Sequence, residues 1–244
     1  MSGHSKWHNI QVRKGKQDAR KASSFTKVGR MITVAAREGG GDPTANFSLR
    51  LAIEKAKEVN FPKENVERAI KKGTGELVDD TQIDEVLYEG FGPGGIGVLV
   101  DAITDNKNRM VGDVKHIFSL YGGSLAGPGS VKWRFERLGV VRIAGDRLSA
   151  FGNQPDVELK LIDAGAEDIV ESGFGIEIRS SVEKFQKVLE AVKATGAEPQ
   201  EAGIEWVAKE TIEVPGEASE QMQKLYDALD ANDDVRAVYT TEAD

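Results

Sequence analysis

The sequence predicts an α+β multidomain protein, with an N-terminal three-helix domain followed by two ferredoxin-like α+β domains, the third inserted in the second. Three observations predict it. The first 75 residues carry helical periodicity punctuated by Gly and Pro, the remainder alternates short β-rich runs with helices, and charge is segregated between the two parts. Residues 1–75 hold 16 Lys+Arg against 7 Asp+Glu, a net +9, whereas residues 76–244 hold 16 against 33, a net −17, within a whole-chain balance of −8. A chain of 244 residues is long enough for two or three domains, each with its own core.

Composition removes several function classes. With 39% hydrophobic residues the chain reads as a soluble globular protein. No apolar run approaches the ~20 residues of a membrane span. The N-terminus is polar and basic without the apolar core of a secretory signal, so a cytoplasmic protein without membrane contact is expected. Zero cysteines exclude disulfides, Cys-type zinc fingers and thiol nucleophiles. Three histidines, His4, His8 and His116, leave little for metal catalysis, and no cofactor is expected.

Residues 1–14 have neither helical nor strand periodicity and read as an extended basic arm, with a disordered terminus as the plain alternative. From about Gly15 the pattern turns helical. Ala22, Phe25, Val28, Ile32, Ala35 and Ala36 fall on one side; Lys16, Arg20, Lys27, Arg30 and Arg37 fall on the other. Only Asp18 is acidic between Arg13 and Arg37, so the stripe lacks the Glu–Lys pairs that solvated helices carry at i,i+4. Gly39-Gly40-Gly41 ends this helix, Asp42-Pro43 opens a second that runs to about Val59, and Asn60-Phe61-Pro62 opens a third. In the third helix Val66, Ala69 and Ile70 point inward, Lys71 and Lys72 come late, and Gly73 serves as the C-cap.

After Gly75 the composition becomes acidic and β-rich. Strands are predicted at Glu85–Gly90, Gly97–Ile103 and Val131–Glu136, with a helix at Arg109–Leu120. The Gly90–Gly95 loop fits GxGxxG by count, yet Pro93 and the following Ile96–Val100 predict a turn between strands, where a dinucleotide site needs a helix. From Gly139 the expected order is strand 140–143, helix 156–164, strands 167–171 and 176–179, helix 182–194 and strand 204–207, the β-α-β-β-α-β plan of ferredoxin-like domains. The closing strand 210–214, helix 217–231 and strand 235–240 complete the domain begun near residue 80. The expected boundaries are 1–76, 77–137 plus 208–244, and 138–207.

The candidate site is a basic nucleic-acid-binding surface formed by Lys6, Trp7, Arg13, Lys14, Lys16, Arg20, Lys27, Arg30, Lys71 and Lys72. Binding depends on the local field of such a surface, which a pI near 5.1 does not cancel. Trp7, between Lys6 and His8, either stacks on a base or plugs a groove between domains. Trp133 and Phe135 read as core. Asp79-Asp80, Asp84-Glu85 and Asp233-Asp234 lie at segment edges without a partner to split their pKa values and read as solvated surface, so no enzyme is expected. Tyr88, Asp105, Asn106, Lys107 and Arg109 gather at strand ends, where they either bind a partner or fix a domain interface; the interface is the preferred reading.

The motifs Gly3-His4-Ser5-Lys6-Trp7, Asn9-Ile10, Arg13-Lys14, Asp42-Pro43, Asn60 with Pro62-Lys63, Arg68 to Gly73, Tyr88-Glu89-Gly90, Thr104-Asp105-Asn106 and Gly129-Ser130-Val131-Lys132-Trp133 together resemble the YebC/PmpR family. The resemblance is dense through about residue 137 and spans nearly the whole chain. It departs at Ser23-Ser24, where relatives often carry another basic residue, and at Asn108-Arg109-Met110, which replaces Asn-Arg-Thr. The resemblance implies three domains and a non-enzymatic nucleic-acid-binding regulator of gene expression, as in the family's DNA-binding probable transcriptional regulators. It equally admits a ribosome-associated translation factor that binds rRNA or tRNA and relieves stalling. A protein–protein adaptor working through the acidic α+β domains is a further alternative. The expected partner is nucleic acid, in a monomeric protein.

Overall fold

The structure, a computed structural model, describes residues 21–77, 83–145, 154–172, 175–214 and 216–243. These form two compact units, one holding the described residues from Lys21 to Trp133 together with Ile212–Glu242, the other the described residues of Arg134–Thr211.

The first unit begins with three helices, α1 (Lys21–Gly39), α2 (Phe47–Glu58) and α3 (Lys63–Gly73). Their core is built from Val28, Ile32, Ala35 and Ala36 of α1 with Leu49, Ala52, Ala56 and Ala69, the apolar stripe read from the sequence. The small residues allow close helix approach. A Cβ at Gly73 would overlap the Thr33 carbonyl oxygen and stand 2.8 Å from Ala36 Cβ, so Gly73 serves the contact between α3 and α1 and not the positive φ of the expected cap. Helix α2 also starts later than Asp42-Pro43 predicts. Asp42 instead closes a turn, accepting from Thr44 N at 2.8 Å, while Asn46 caps the helix by accepting from Leu49 N at 3.0 Å. The Asn46 amide then donates to Ala35 O and Gly40 O, stitching the end of α1 to the start of α2. Asn60 adopts φ 57 beyond α2, and the Phe61 amide returns to Ala56 O, ending α2; α3 then starts at Lys63 with Pro62 as its N-cap, directly after the expected start signal.

The same unit holds a four-stranded antiparallel sheet in the order β3-β1-β2-β8, from β1 (Asp84–Phe91), β2 (Gly97–Thr104), β3 (Ser124–Ala126) and β8 (Val235–Thr240). Helices α4 (Lys107–Leu120) and, late in the chain, α7 (Glu217–Ala231) cover one face. There Val98, Val100 and Ala102 meet Met110, Val114 and Phe118 of α4 and Met222, Leu225 and Leu229 of α7. Each such apolar side chain contributes about 1.5–3 kcal/mol by burial. The alternate residues of β2 are buried as well. On that opposite face Ile103 packs with Val34 of α1 and Ile83, with Met31 beside them. Between β1 and β2 lies the short turn Pro93–Gly95, so the GxGxxG count is a strand-to-strand turn.

The second unit pairs its strands β5-β6-β4-β7, all antiparallel, from β4 (Phe135–Ala144), β5 (Ala166–Ser172), β6 (Gly175–Ser180) and β7 (Glu201–Ala208). Helices α5 (Gln154–Ala164) and α6 (Phe185–Ala194) complete a β-α-β-β-α-β sequence. Strand β4 runs unbroken through Leu138, where two strands and a boundary between residues 137 and 138 were expected. Buried Arg142 on β4 donates to Glu177 at 2.7 Å and to both oxygens of Glu205 at 3.0 Å, and Arg179 meets Glu177 at 2.7 Å. The expected strand at 210–214 is reduced to one bridge between Ile212 and Glu242.

Candidate nucleic-acid interface

Of the ten predicted contact residues, Lys6, Trp7, Arg13, Lys14, Lys16 and Arg20 lie outside the described residues. Those that follow on α1 meet a surface the sequence reading did not foresee. Lys27 donates to the Asp230 carbonyl, and Arg37, on the same expected face though not among the ten, donates to the Ile83 carbonyl. Arg30 pairs with the Asp234 carboxylate and donates to Ile103 O at 3.3 Å. The basic side of α1 was expected to face phosphates; over residues 27–37 it faces the last turn of the helix Glu217–Ala231, the end of β2 with the turn before β8, and the residue before β1.

Asp234 is the centre of this seam. Its side chain is only 7% exposed, and it accepts from Thr104 Oγ1 and Arg109 Nη2, each at 2.6 Å, in addition to Arg30. Burial raises its pKa, but the hydrogen bonds from Thr104, Arg109 and Arg30 more than offset this and hold it below the usual carboxylate range. Arg109 also reaches Asp105 at 2.7 Å, and Asn106 caps α4 by accepting from Arg109 N. Asp105 and Arg109 therefore take part in the contact between α1 and the sheet through Arg30 and Asp234, while Asn106 serves as the cap of α4. Tyr88 instead packs against the helix-covered core, and Lys107 pairs with Asp84 at 3.2 Å. The expectation that Asp233-Asp234 is solvated surface is corrected for Asp234. Its partner Arg30 lies 204 residues away, so no local pattern pointed to it.

Lys71 and Lys72 sit in the last turn of α3, where the helix dipole favours cations. The Glu76 amide donates to the Lys71 carbonyl at 2.9 Å, and the Lys71 side chain is exposed.

A second group of residues lies at the start of the segment linking the two sheets. Glu89 on β1 is buried, and its carboxylate accepts from the backbone N–H of Gly129, Val131 and Lys132 at 2.7, 2.7 and 2.8 Å. Burial raises its pKa, but the three amides and the Lys132 charge more than offset this and hold it low. Gly127-Pro128-Gly129-Ser130 forms a turn closed from Ser130 N to Gly127 O at 3.3 Å, with Gly129 at φ 85 in the position that favours glycine. Trp133 follows in a short 3₁₀ turn and is 65% exposed, its indole N–H donating to Ser130 O at 3.1 Å. The core assignment holds for Phe135 and fails for Trp133, because the expected strand begins only at Phe135 and the alternation that would have turned Trp133 inward is absent.

A helical N-terminal region followed by two four-stranded antiparallel sheets, with a basic first quarter and an acidic remainder, defines an α+β multidomain protein of strongly divided charge. Residues 5–76 match the TACO1/YebC protein N-terminal domain, and residues 83–242 match the TACO1/YebC second and third domain. A probable transcriptional regulatory protein of Thermoanaerobacter pseudethanolicus is 46% identical over 239 residues, covering 98% of this chain and 96% of its own. One of Pseudothermotoga lettingae is 47% identical over 240 residues, covering 98% and 93%. The crystal structure of a conserved hypothetical protein from Aquifex aeolicus has a TM-score of 0.82 at 38% identity, covering 93% of this chain and 91% of that one. The chain belongs to the TACO1/YebC family. Among the described residues no helix is long and apolar enough to cross a membrane.

Proposed function

We propose that the protein is a non-enzymatic regulator of gene expression that acts by binding nucleic acid in the cytoplasm, as a monomer. The observation that carries this reading is the charge division, net +9 in residues 1–75 against −17 in the rest, which gives a polyanion one end of the chain to bind and repels it from the other. The names of the relatives, probable transcriptional regulatory proteins, support a regulatory role. Lys6, Arg13, Lys14, Lys16 and Arg20 supply the phosphate contacts, Trp7 supplies stacking, and Lys71 and Lys72 extend the basic surface.

One observation favours structured RNA, as in a ribosome-bound factor, over a long duplex. Lys27 contacts the protein's own helix α7, Arg37 the residue before β1, and Arg30 the end of β2 and the turn before β8, so the basic stripe along α1 is interrupted where a duplex lying along the helix would need it. An irregular RNA suits a basic arm bearing an aromatic residue better than it suits a long continuous stripe.

The test is a salt titration of binding on duplex DNA and on a structured rRNA fragment. Five phosphate contacts give a slope of log K on log salt of about −3.5 to −4.5. Arg20→Ala should flatten it by about one unit or less. Arg30→Ala should leave the slope nearly unchanged and lower stability instead, because its guanidinium is held by Asp234. No binding of either probe would sink the reading; an unchanged slope in Arg20→Ala would remove that residue from the surface.

A further inference from the structure

We propose that the outer face of α5 docks an amphipathic helix of a basic partner protein, with Leu159 and Ile162 as the apolar contact and Glu158 and Asp163 as its acidic rim. The inference goes beyond the nucleic-acid reading and does not depend on it. It starts from where the charge of the second unit lies. Residues 134–211 hold 10 Lys+Arg against 15 Asp+Glu, a net −5. Residues 154–172, which are α5 and β5, hold 1 against 6, also a net −5, so the rest of the unit balances at 9 against 9. The whole excess is confined to one helix and the edge strand that follows it. A charge run of this kind is by itself an ordinary solvated face.

What sets α5 apart is an apolar pair inside that charge. Val157 and Leu161 are buried and hold the helix to its own unit. Leu159 and Ile162, on the opposite side, are 61% and 56% exposed. Among the described residues no other two large apolar side chains so exposed stand one helical turn apart. A surface helix needs one apolar stripe; a helix apolar on both sides is covered on both. The other helix of the unit, α6, follows the ordinary pattern, burying Phe185, Val188, Leu189 and Val192 while Gln186, Lys187 and Glu190 are exposed. Charge then selects what covers α5. At about 100° per residue, Asp163 flanks Leu159 and Glu158 flanks Ile162, so exposed carboxylates border the apolar pair on both sides. Apolar side chains centred in a polar rim have the anatomy of a protein contact. The sign of the rim opposes a polyanion, and it opposes a second copy of this chain, which would bring the same net −5 against it. A helix with apolar side chains at i and i+3 or i+4 and Lys or Arg beside them meets both demands.

The probe is a fluorescein-labelled helical peptide of Leu and Lys, about 15 residues long with its leucines on one face, titrated with the full chain. Its controls are the same composition with the leucines scattered and the same pattern with Glu in place of Lys. The wild-type chain should bind the probe and neither control. Leu159→Ser with Ile162→Ser should weaken binding about 10-fold or more while leaving the thermal midpoint unchanged, because both side chains are exposed. Glu158→Lys with Asp163→Lys should weaken it about 2- to 30-fold and flatten its dependence on salt. No binding of the probe, or equal binding of either control, overturns the inference. A lower thermal midpoint in the serine variant overturns it in favour of packing within the chain. A wild-type dimer that the serine variant dissociates in sedimentation assigns the face to a second copy, and weaker binding of the rRNA fragment by that variant assigns it to nucleic acid; either result overturns the basic partner. Probe binding by a wild-type chain that binds neither duplex DNA nor the rRNA fragment sinks the nucleic-acid reading and leaves this one standing.

Discussion

Arg30 and Asp234, 204 residues apart in the chain, meet in an ion pair that joins the first described helix to the end of the last strand's approach. Asp234 also accepts from Thr104 and Arg109, so one carboxylate ties α1, β2, α4 and the turn before β8 together. Removing it takes one acceptor from each of two guanidinium groups, leaving Arg109 with Asp105 and Arg30 with the Ile103 carbonyl, and deprives the buried Thr104 hydroxyl of its acceptor. Because Arg30 and Arg109 side chains are 19% and 47% exposed, water recovers part of the loss. Asp234→Ala should therefore cost about 2–3 kcal/mol, below the 3–5 kcal/mol typical of a fully buried pair. Denaturant unfolding measures it, and a change under half a kcal/mol would mean the seam contributes little.

The acid limb of stability should carry the same signature. Asp234 and Glu89 both have folded pKa values below the ordinary carboxylate value, so their contribution is present above an unfolded pKa of about 4 and is lost as pH falls through the folded values. Unfolding free energy should hold between pH 7 and about 5 on their account and decline below about 4. The double variant Asp234→Asn, Glu89→Gln should show a shallower decline. Superimposable acid limbs for wild type and variant would contradict it.

Gly73→Ala tests the contact between α3 and α1. The new methyl would overlap a backbone carbonyl, that of Thr33, which cannot rotate aside as a side chain would. A loss of about 1–3 kcal/mol is expected from overpacking, opposite to the gain usually obtained when alanine replaces glycine within a helix. A rise in thermal midpoint would show that α3 shifts without cost.

The proposed insertion of one α+β domain in another is testable by deletion. The segment's ends are adjacent, since Phe135 pairs with Ala208 and the Lys209 amide donates to Arg134 O at 2.9 Å. Replacing residues 135–208 by a linker of about two to four residues should leave a cooperatively unfolding protein with the first sheet intact. Loss of a cooperative transition would place the first sheet's stability under the control of the removed segment.

Much of the fold was legible because its signals are local. The apolar stripe of Val28, Ile32, Ala35 and Ala36 repeats at i, i+3 and i+4, and it is the stripe that packs. Helix 217–231 and strand 235–240 match their predicted bounds, each being long or strongly alternating and bounded by turn residues. The misses are equally local in cause. Asp42-Pro43 and Asn46 are competing start signals four residues apart, and the Asn46 amide won because it also satisfies the carbonyls at the end of α1.

The sequence by itself determined the fold class, the order of the elements, the family resemblance and the division of charge between the first quarter and the rest. These depend on periods of two and 3.6 residues, on turn chemistry and on composition, all readable within a short window. Only the tertiary structure decided that Lys27, Arg30 and Arg37 face other parts of the first unit, that Asp234 is buried among cations, and that Trp133 stands outside the core. A helical period says which residues share a face; it does not say what will cover that face. That depends on elements 46 to 204 residues away, whose arrival converts a basic stripe into an intramolecular seam.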